Sequence, residues 1–115
     1  MCIRDRFRTL ALDLPETIEG EHMGHADFRV NGKIFATLGS PEHGWGMVKL
    51  TPDQQQTLMK AKPGTFKPAA GAWGVRGATH VLLKSIDRAA LRQALLAAWR
   101  NTAPPKMVKE LGPEK

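Results

Sequence analysis

Apolar side chains recur along the chain at two different periods, and these periods predict a mixture of helices and strands. Helical spacing marks residues 7–14, a segment that should end before Pro15, because the residue before a proline is pushed out of the α region. A second helix should begin after its N-cap residue Asp87 and end at Ala103, just before two prolines. One arc of this helix is apolar and the adjoining arc holds arginines, so the apolar arc should pack on a sheet. The apolar arc comprises Leu91, Ala94, Leu95, Ala98 and Trp99.

Residues 27–38 predict a β-hairpin with Asn31-Gly32 as its two-residue turn, because this pair adopts the positive φ angles of a type I′ turn. The turn sets a register in which Phe28 lies opposite Phe35, and directly opposite residues share a face of the sheet. Both faces of this hairpin are mixed in polarity. The pattern therefore leaves open which face belongs to the core.

The remaining segments complete a mixed architecture. Alternating or extended patterns predict three further strands, at residues 17–24, 45–50 and 79–86. Thr51-Pro-Asp-Gln54 predicts the start of a helix that runs to about residue 62, since threonine can cap it, proline suits its first position and glutamine completes a capping box. Residues 65–77 contain several glycines and predict a loop. Strands joined by tight turns are antiparallel, so we expect an α+β fold: a two-layer antiparallel sheet with helices packed on one face.

The length and composition fit one globular domain: 115 residues, of which 42% are hydrophobic and 24% charged. We expect a single α+β domain over residues 7–105 and a basic C-terminal tail over residues 106–115. Residues 1–6 lack a regular pattern and are expected to be a non-native scar or disordered. The sequence contains no apolar run of the roughly 20 residues that a membrane span needs, and we expect no signal peptide. Cys2 is the only cysteine, which excludes an intrachain disulfide and suits a cytoplasmic protein.

The net charge of +6 is distributed unevenly along the chain. Residues 1–48 carry five basic and seven acidic side chains, a net −2, whereas residues 49–115 carry twelve basic and four acidic ones, a net +8. Asp87 is the only acid between Gln54 and Lys109. This asymmetry indicates a polyanionic partner, while the alternative is a solvated basic surface that keeps a small protein soluble.

His22 and His25 invite a metal-binding interpretation, because acidic residues lie nearby in the sequence. Positions three apart on a strand point to opposite faces, so both histidines could bind one ion only if Gly24 bends the chain. The alternative is a pair of polar or partly buried histidines at a bend, with the neighbouring acids, Asp27 included, on a solvated face. We therefore expect no metal site and no cofactor.

The glycine-rich residues 71–77 do not predict a phosphate loop, because they precede a strand and lack a lysine followed by a hydroxyl residue. Arg76 is still a candidate anion contact, since neighbouring glycines would let its guanidinium reach a phosphate. The sequence contains no motif that pairs a nucleophile with a base. We therefore expect that the protein is not an enzyme.

Five motifs lie in order along most of the chain: residues 21–30 (EHMGHADFRV), 32–38 (GKIFATL), 44–50 (GWGMVKL), 71–74 (GAWG) and 98–104 (AWRNTAP). Together they resemble the MmcQ/YjbR family of small bacterial proteins, except at Ala26, where the family usually has proline. The resemblance implies a compact CyaY/frataxin-like α+β fold. It also implies DNA binding through hairpins in a double-wing arrangement, and it assigns no functional residue to this chain. The acidic helix ridge with which frataxins bind iron has little counterpart here beyond Asp13.

Charge and resemblance together favour a non-enzymatic protein that binds nucleic acid, with duplex DNA as the expected partner, through contacts to phosphates. The expected contacts are Arg29, Lys33, Lys49, Arg76 and Lys84. The alternative is a small-molecule or protein-interaction module that uses a groove, in which tryptophans beside glycines stack on a ligand instead of covering core edges. The expected groove residues are His22, Trp45, Met47 and Trp73. In either case we expect no membrane partner and a monomer or weak dimer.

Overall fold

Six strands form one antiparallel sheet in the computed structural model, which describes residues 3–22, 24–39 and 44–111. In chain order the elements of this described part are α1 (Ile3–Leu12), β1 (Thr17–His22), β2 (His25–Val30), β3 (Lys33–Leu38), β4 (Trp45–Lys49), α2 (Pro52–Ala61), β5 (Phe66–Pro68), α3 (Gly71–Val75), β6 (Ala78–Leu82), α4 (Arg88–Thr102) and α5 (Pro105–Leu111). The strands lie side by side in the order β1-β2-β3-β4-β6-β5, and each neighbouring pair is antiparallel. The predicted α+β class is confirmed.

The turn between β2 and β3 has the geometry that its sequence predicts. Asn31 has a φ of 53° and Gly32 a φ of 78°, so both central residues adopt the positive φ angles of a type I′ turn. Next to the turn, Val30 pairs with Lys33 as predicted. Val30 is fully buried, so its face of the hairpin is the core face.

The predicted pairing of Phe28 with Phe35 is wrong, because a β-bulge shifts the register and Phe28 pairs with Ala36 instead. A bulge adds one unpaired residue to one strand, which switches the face of each residue that follows. Beyond the bulge, Ala36 and Leu38 therefore face the core, where both are fully buried. Thr37 faces the other side of the sheet, opposite Asp27. The extra residue lets β3 bury Phe35 as well as the alternate residues that follow it.

Helices α1 and α4 pack on the core face of the sheet and close the hydrophobic core. The predicted apolar arc of α4 is buried as a whole, with Trp99 completely covered. The indole Nε1 of Trp99 donates a hydrogen bond to the carbonyl oxygen of Pro15 at 2.9 Å, so burial leaves no polar atom of this side chain unpaired. Each large apolar side chain buried in this way contributes about 1.5–3 kcal/mol.

The caps of α2 and α4 follow the sequence prediction. In α2 the Thr51 hydroxyl accepts from the Gln54 backbone N–H at 3.2 Å, and the Gln54 side chain accepts from the Thr51 N–H at 2.9 Å, which completes the capping box. In α4 the Asp87 carboxylate accepts from the Ala90 N–H at 2.8 Å. These bonds satisfy backbone donors that the first turn of a helix leaves unpaired.

Several boundaries differ from the sequence prediction. The strand expected over residues 79–86 is β6 and ends at Leu82, and α1 ends at Leu12 instead of residue 14. Helix α1 begins at Ile3, so residues 3–6 are helical and not disordered, while their expected non-native origin stays a prediction. Once Phe7 is anchored in the core, extending the helix by a turn costs little. Residues 65–77 contain strand β5 and the short helix α3, where a loop was expected. Residues 105–111 form helix α5, so most of the expected basic tail is helical. Met1, Cys2, the expected loop residues 40–43 and the tail residues 112–115 lie outside the described residues.

No helix in the described part of the chain combines the length and the apolar character that a bilayer span requires. The longest of these helices, α4, has 15 residues and an arginine-bearing face.

We predict that Gly46→Ala destabilises the fold by about 1–3 kcal/mol, because forcing extra volume into a packed core costs this much. Gly46 lies on the core face of β4, and a Cβ there would stand 2.6 Å from Cε2 of the buried Phe7 ring. Denaturant unfolding measures the loss. Gly44→Ala is the matched control, since a Cβ at that position meets no atom within 4 Å among the described residues. Equal midpoints for the two variants would contradict the packing of α1 on this strand.

Candidate ligand-binding groove

The sheet face opposite α1 and α4 is here called the open face. Cross-strand pairing places one row of side chains across it, because directly opposite residues share a face. From β2 to β5 this row is Asp27, Thr37, Met47, His80 and Lys67. The row combines one acid, one base, two neutral polar or titratable side chains and a thioether, whereas the buried residues of the core face are mostly apolar. The open face is therefore where the sheet concentrates chemically active groups.

A groove of about 520 Å³ lies on the open face, between the sheet and the segment that carries α3. Its apolar walls are Ile34, Met47, Ala69, Ala70, Trp73 and Ala78. Its polar lining is His22, Thr37, Lys49 and His80. An apolar cavity of this size with a few polar groups is the usual form of a small-molecule site.

The α3 wall of the groove is held in place by a buried glutamine on α2. The side-chain Nε2 of Gln55 donates to the carbonyl oxygens of Gly74 and Ala78, each at 3.1 Å, and approaches the Thr79 hydroxyl at 3.2 Å. Gln55 is only 4% exposed, so these bonds form away from water and hold α3 against β6. This anchor fixes the backbone that carries Trp73, whose side chain is itself exposed.

Two lysines lie over tryptophan rings on the open face. Lys49 Nζ is 5.9 Å from the ring centroid of Trp73, and Lys67 Nζ is 4.4 Å from that of Trp45. Both distances are within the range of cation–π attraction, which holds an ammonium group near the aromatic face. Each pair therefore combines a flat apolar surface with a positive charge.

A buried aspartate lies at the β1–β2 end of the open face and holds two neighbouring cationic or titratable side chains. The Asp27 carboxylate accepts from Arg29 Nε at 2.7 Å and from a second guanidinium nitrogen at 3.0 Å. His22 Nδ1 lies 2.7 Å from Asp27 Oδ2, the oxygen that also accepts from the second guanidinium nitrogen. The hydrogen bonds from Arg29 lower the pKa of Asp27 below its ordinary value, outweighing the opposing effect of burial. Asp27 is therefore a buried anion. The sequence prediction that it lies on a solvated face is wrong.

Three of the four residues predicted for a groove line the groove: His22, Met47 and Trp73. Trp45 is not among its lining residues and instead makes an edge-to-face contact with His80, with ring centroids 6.4 Å apart. His80 itself was missed by sequence reasoning. Strand alternation could have placed His80 on the open face. Its neighbours Thr79 and Val81 face the core, and successive side chains of a strand point to opposite faces.

The five residues predicted to contact phosphates lie in separate places. Arg29 is bound to Asp27, and Lys33 shares the core-side face with its partner Val30. Lys49 and Arg76 come together, lining a smaller cavity beside Trp73. Lys84 lies in the turn after β6, at the end of the strand opposite to Ala78, where Lys49 pairs. Their role in binding phosphates stays a prediction, and the fold does not gather the five into one surface.

The bend that the metal hypothesis required is present. Gly24 has a φ of 78°, and His22 pairs directly with His25 across the β1–β2 hairpin. Within residues 3–22, 24–39 and 44–111, however, no group of three or more His, Cys, Asp or Glu side chains is placed to hold a metal ion. The two histidines thus sit side by side on one face, and His22 is held by Asp27.

Comparison with known proteins yields a family and a fold. A sequence model of the YjbR family matches residues 12–101, a span that contains all six strands described above. The crystal structure of the Deinococcus radiodurans protein DR2400, with a domain of the family DUF419, is similar to this chain with a TM-score of 0.74. The similarity covers 96% of this chain and 88% of that one at 18% identity, so it shows a shared fold alone. No curated protein matches this sequence.

We predict that Asp27→Asn lowers the free energy of unfolding by about 1–3 kcal/mol near neutral pH, because it leaves Arg29 without its anionic partner. The folded-state pKa of Asp27 is lowered, so its stabilisation is present above the ordinary pKa of about 3.9 and is lost as the pH falls through the lowered value. The difference between wild type and variant should therefore shrink below about pH 4. Urea unfolding across this pH range measures it, with the exposed Asp13→Asn as control. A difference that grows on acidification would contradict this assignment.

Proposed function

This chain belongs to the YjbR family, and we propose that it is a ligand-binding protein whose groove takes a small organic anion with a flat, apolar body. The proposal rests on one observation: the groove has mostly apolar walls and also contains the Lys49 ammonium beside the Trp73 ring. Binding of this kind needs no nucleophile, which agrees with the expectation of a non-enzymatic protein.

The dimensions of the groove support a small molecule over a polymer. A volume of about 520 Å³ falls within the roughly 300–1,000 Å³ typical of pockets that enclose drug-sized compounds. Alanines line part of it, and their short side chains leave room beside the longer Met47 and Ile34. A flat body could bury most of its surface there, and burial of apolar surface is the main source of affinity.

The charge at the groove supports an anionic ligand. Lys49 lies over the Trp73 ring, so a body stacked on that ring would bring an anionic substituent within reach of the ammonium. Arg76 lines the adjoining smaller cavity together with these two residues and adds a second positive charge. The acid nearest in the cross-strand row, Asp27, is already held by Arg29, which limits its repulsion of an anion.

We predict that Lys49→Ala weakens the binding of flat organic anions about tenfold, because a hydrogen bond to a charged group contributes about 1.5–3 kcal/mol. A panel that includes AMP and 4-methoxybenzoate is titrated against the protein, with tryptophan fluorescence and amide chemical shifts as readouts. Lys60→Ala is the matched control, since Lys60 is an exposed lysine on α2 away from the groove lining. The proposal fails if wild type shows no saturable change with any member of the panel, or if both variants lose affinity equally.

A second candidate function is the DNA binding that the family resemblance implies, and one observation favours it. Lys33, Arg100 and Lys109 line a shallow cavity of about 750 Å³ where the hairpin turn meets the junction of α4 and α5. None of the described residues that line this cavity is acidic. Its cations and its polar residues Asn31 and Asn101 suit contacts to a phosphate backbone. This cavity shares no described lining residue with the groove, so variants at Lys33 and Lys109 test DNA binding without changing the groove lining.

If duplex DNA binds there with about four phosphates neutralised, log affinity should fall with log salt at a slope near −3.6. We predict that Lys33→Glu and Lys109→Glu weaken binding to all sequences alike, whereas Lys49→Ala and the control Lys60→Glu do not. Fluorescence anisotropy with a labelled duplex at several salt concentrations measures both quantities. An affinity that does not change with salt, or an equal loss in Lys60→Glu, would remove this candidate.

A further inference from the structure

We propose that His22 presents its Nε2 to the groove as a hydrogen-bond acceptor, so that the preferred ligand is an aromatic anion that also carries an O–H or N–H donor. The inference rests on the proposed function for the presence of a ligand, and it adds the chemistry that the ligand must have. It is carried by the contacts between Asp27, Arg29 and His22, together with the position of His22 on the groove wall.

The Asp27 carboxylate is fully buried and oriented by two hydrogen bonds from one guanidinium. One of its oxygens accepts from Arg29 Nε at 2.7 Å, and the other accepts from the second nitrogen at 3.0 Å. A paired donor of this kind fixes the plane of the carboxylate. The carboxylate is therefore both anionic and rigidly placed, and one oxygen is directed at His22.

The short contact to this carboxylate determines which nitrogen of His22 carries the proton. Nδ1 lies 2.7 Å from the Asp27 oxygen, and an ionised carboxylate can only accept, so Nδ1 must donate. In a neutral imidazole the other nitrogen then has no proton and is an acceptor. The same arrangement orients histidines in metal sites and catalytic triads, where a carboxylate selects the tautomer.

His22 lines the groove, and Nε2 is the ring nitrogen that the contact with Asp27 leaves for a ligand. Its Nδ1 edge faces the buried Asp27, so the opposite edge of the ring, with Nε2, lies away from the protein interior. The His22 side chain is 43% exposed and lines the groove together with Thr37, Met47 and Lys49. A ligand that bridges from the Lys49 ammonium toward β1 would meet Nε2 with its far end.

The neighbouring strand leaves space for the Asp27–Arg29 pair. Gly20 is directly opposite Asp27 on β1, and a Cβ there would stand 2.9 Å from Asp27 Oδ1 and 3.3 Å from Arg29 Nε. Glycine weakens a strand, so its presence opposite the pair has a cost in stability. An ion pair with one partly exposed partner, as Arg29 is at 38%, also adds little net stability. A role in orienting His22 accounts for features that stability alone does not favour.

The tautomer of His22 is tested without any ligand, so this result is independent of the proposed function. Long-range ¹⁵N–¹H correlation spectra at a pH where the ring is neutral should show His22 protonated at Nδ1 in the wild type. In Asp27→Asn the side-chain amide can accept or donate, so the preference for Nδ1 should be lost, while His25→Gln should leave His22 unchanged. A wild-type His22 protonated at Nε2 would overturn the inference.

A matched ligand pair tests the role of Nε2 in recognition. 4-Hydroxybenzoate and 4-methoxybenzoate share a flat ring and a carboxylate but differ in one O–H donor. The wild type should bind the hydroxy compound about five- to tenfold more tightly, the size of one hydrogen bond. His22→Phe should abolish this preference, His25→Phe should preserve it, and Lys49→Ala should weaken both compounds alike.

The outcomes of this titration are distinct. Equal affinity of the wild type for the two compounds, or an unchanged preference in His22→Phe, would overturn the role of His22 and leave the groove proposal standing. Loss of affinity for both compounds alike in His22→Phe, with the preference retained, would also assign His22 a structural role only. If neither compound binds the wild type, the proposed function loses support, and the tautomer measurement alone decides the state of His22.

Discussion

The β-bulge between β2 and β3 determines which side chains face the helices and which face the groove. Without it, strict alternation from Ile34 would place Thr37 on the core face and Leu38 on the open face. With it, Leu38 joins the core under α1 and α4, and Thr37 takes its place between Asp27 and Met47. One inserted residue thus serves the apolar core and the polar row at once, and the groove depends on it.

The core face of the sheet provides the packing that stabilises the fold, and the open face carries the groups suited to binding. The core face is packed closely enough that Gly46 is needed for the approach of Phe7. The open face carries the polar and titratable groups and is bordered by α3, which the buried Gln55 holds through its bonds to Gly74 and Ala78. Because the groove wall is tied to α2 and β6 by buried hydrogen bonds, a ligand would meet a largely preformed site.

Uneven charge along the sequence does not produce a single electropositive surface. The alternation of strands sends Lys33 and Lys49 to opposite faces, and Asp27, from the acidic half of the chain, binds Arg29 on its own strand. Five other cations line two cavities: Lys49 and Arg76 the one beside Trp73, and Lys33, Arg100 and Lys109 the one at the α4–α5 junction. The smaller cavity beside Trp73 has Asn101 and Thr102 in common with the α4–α5 cavity, but the groove itself shares no described lining residue with that cavity. A groove ligand leads the proposed functions because the groove combines apolar walls with the Lys49 ammonium.

Local interactions determined much of the fold from the sequence alone. The Asn31-Gly32 turn, the capping box at Thr51, the cap at Asp87 and the apolar arc of α4 each depend on residues within a few positions of one another. Sequence reasoning also named three residues of the groove wall, His22, Met47 and Trp73, from the idea that a tryptophan beside glycines can line a ligand groove. The tertiary structure decided the rest: the bulge, the burial of Asp27, the place of His80 and the separation of the basic residues. Each of these features depends on contacts between segments that are distant in sequence. The packing energy of such contacts overrides strict alternation, and no local sequence pattern contains their geometry.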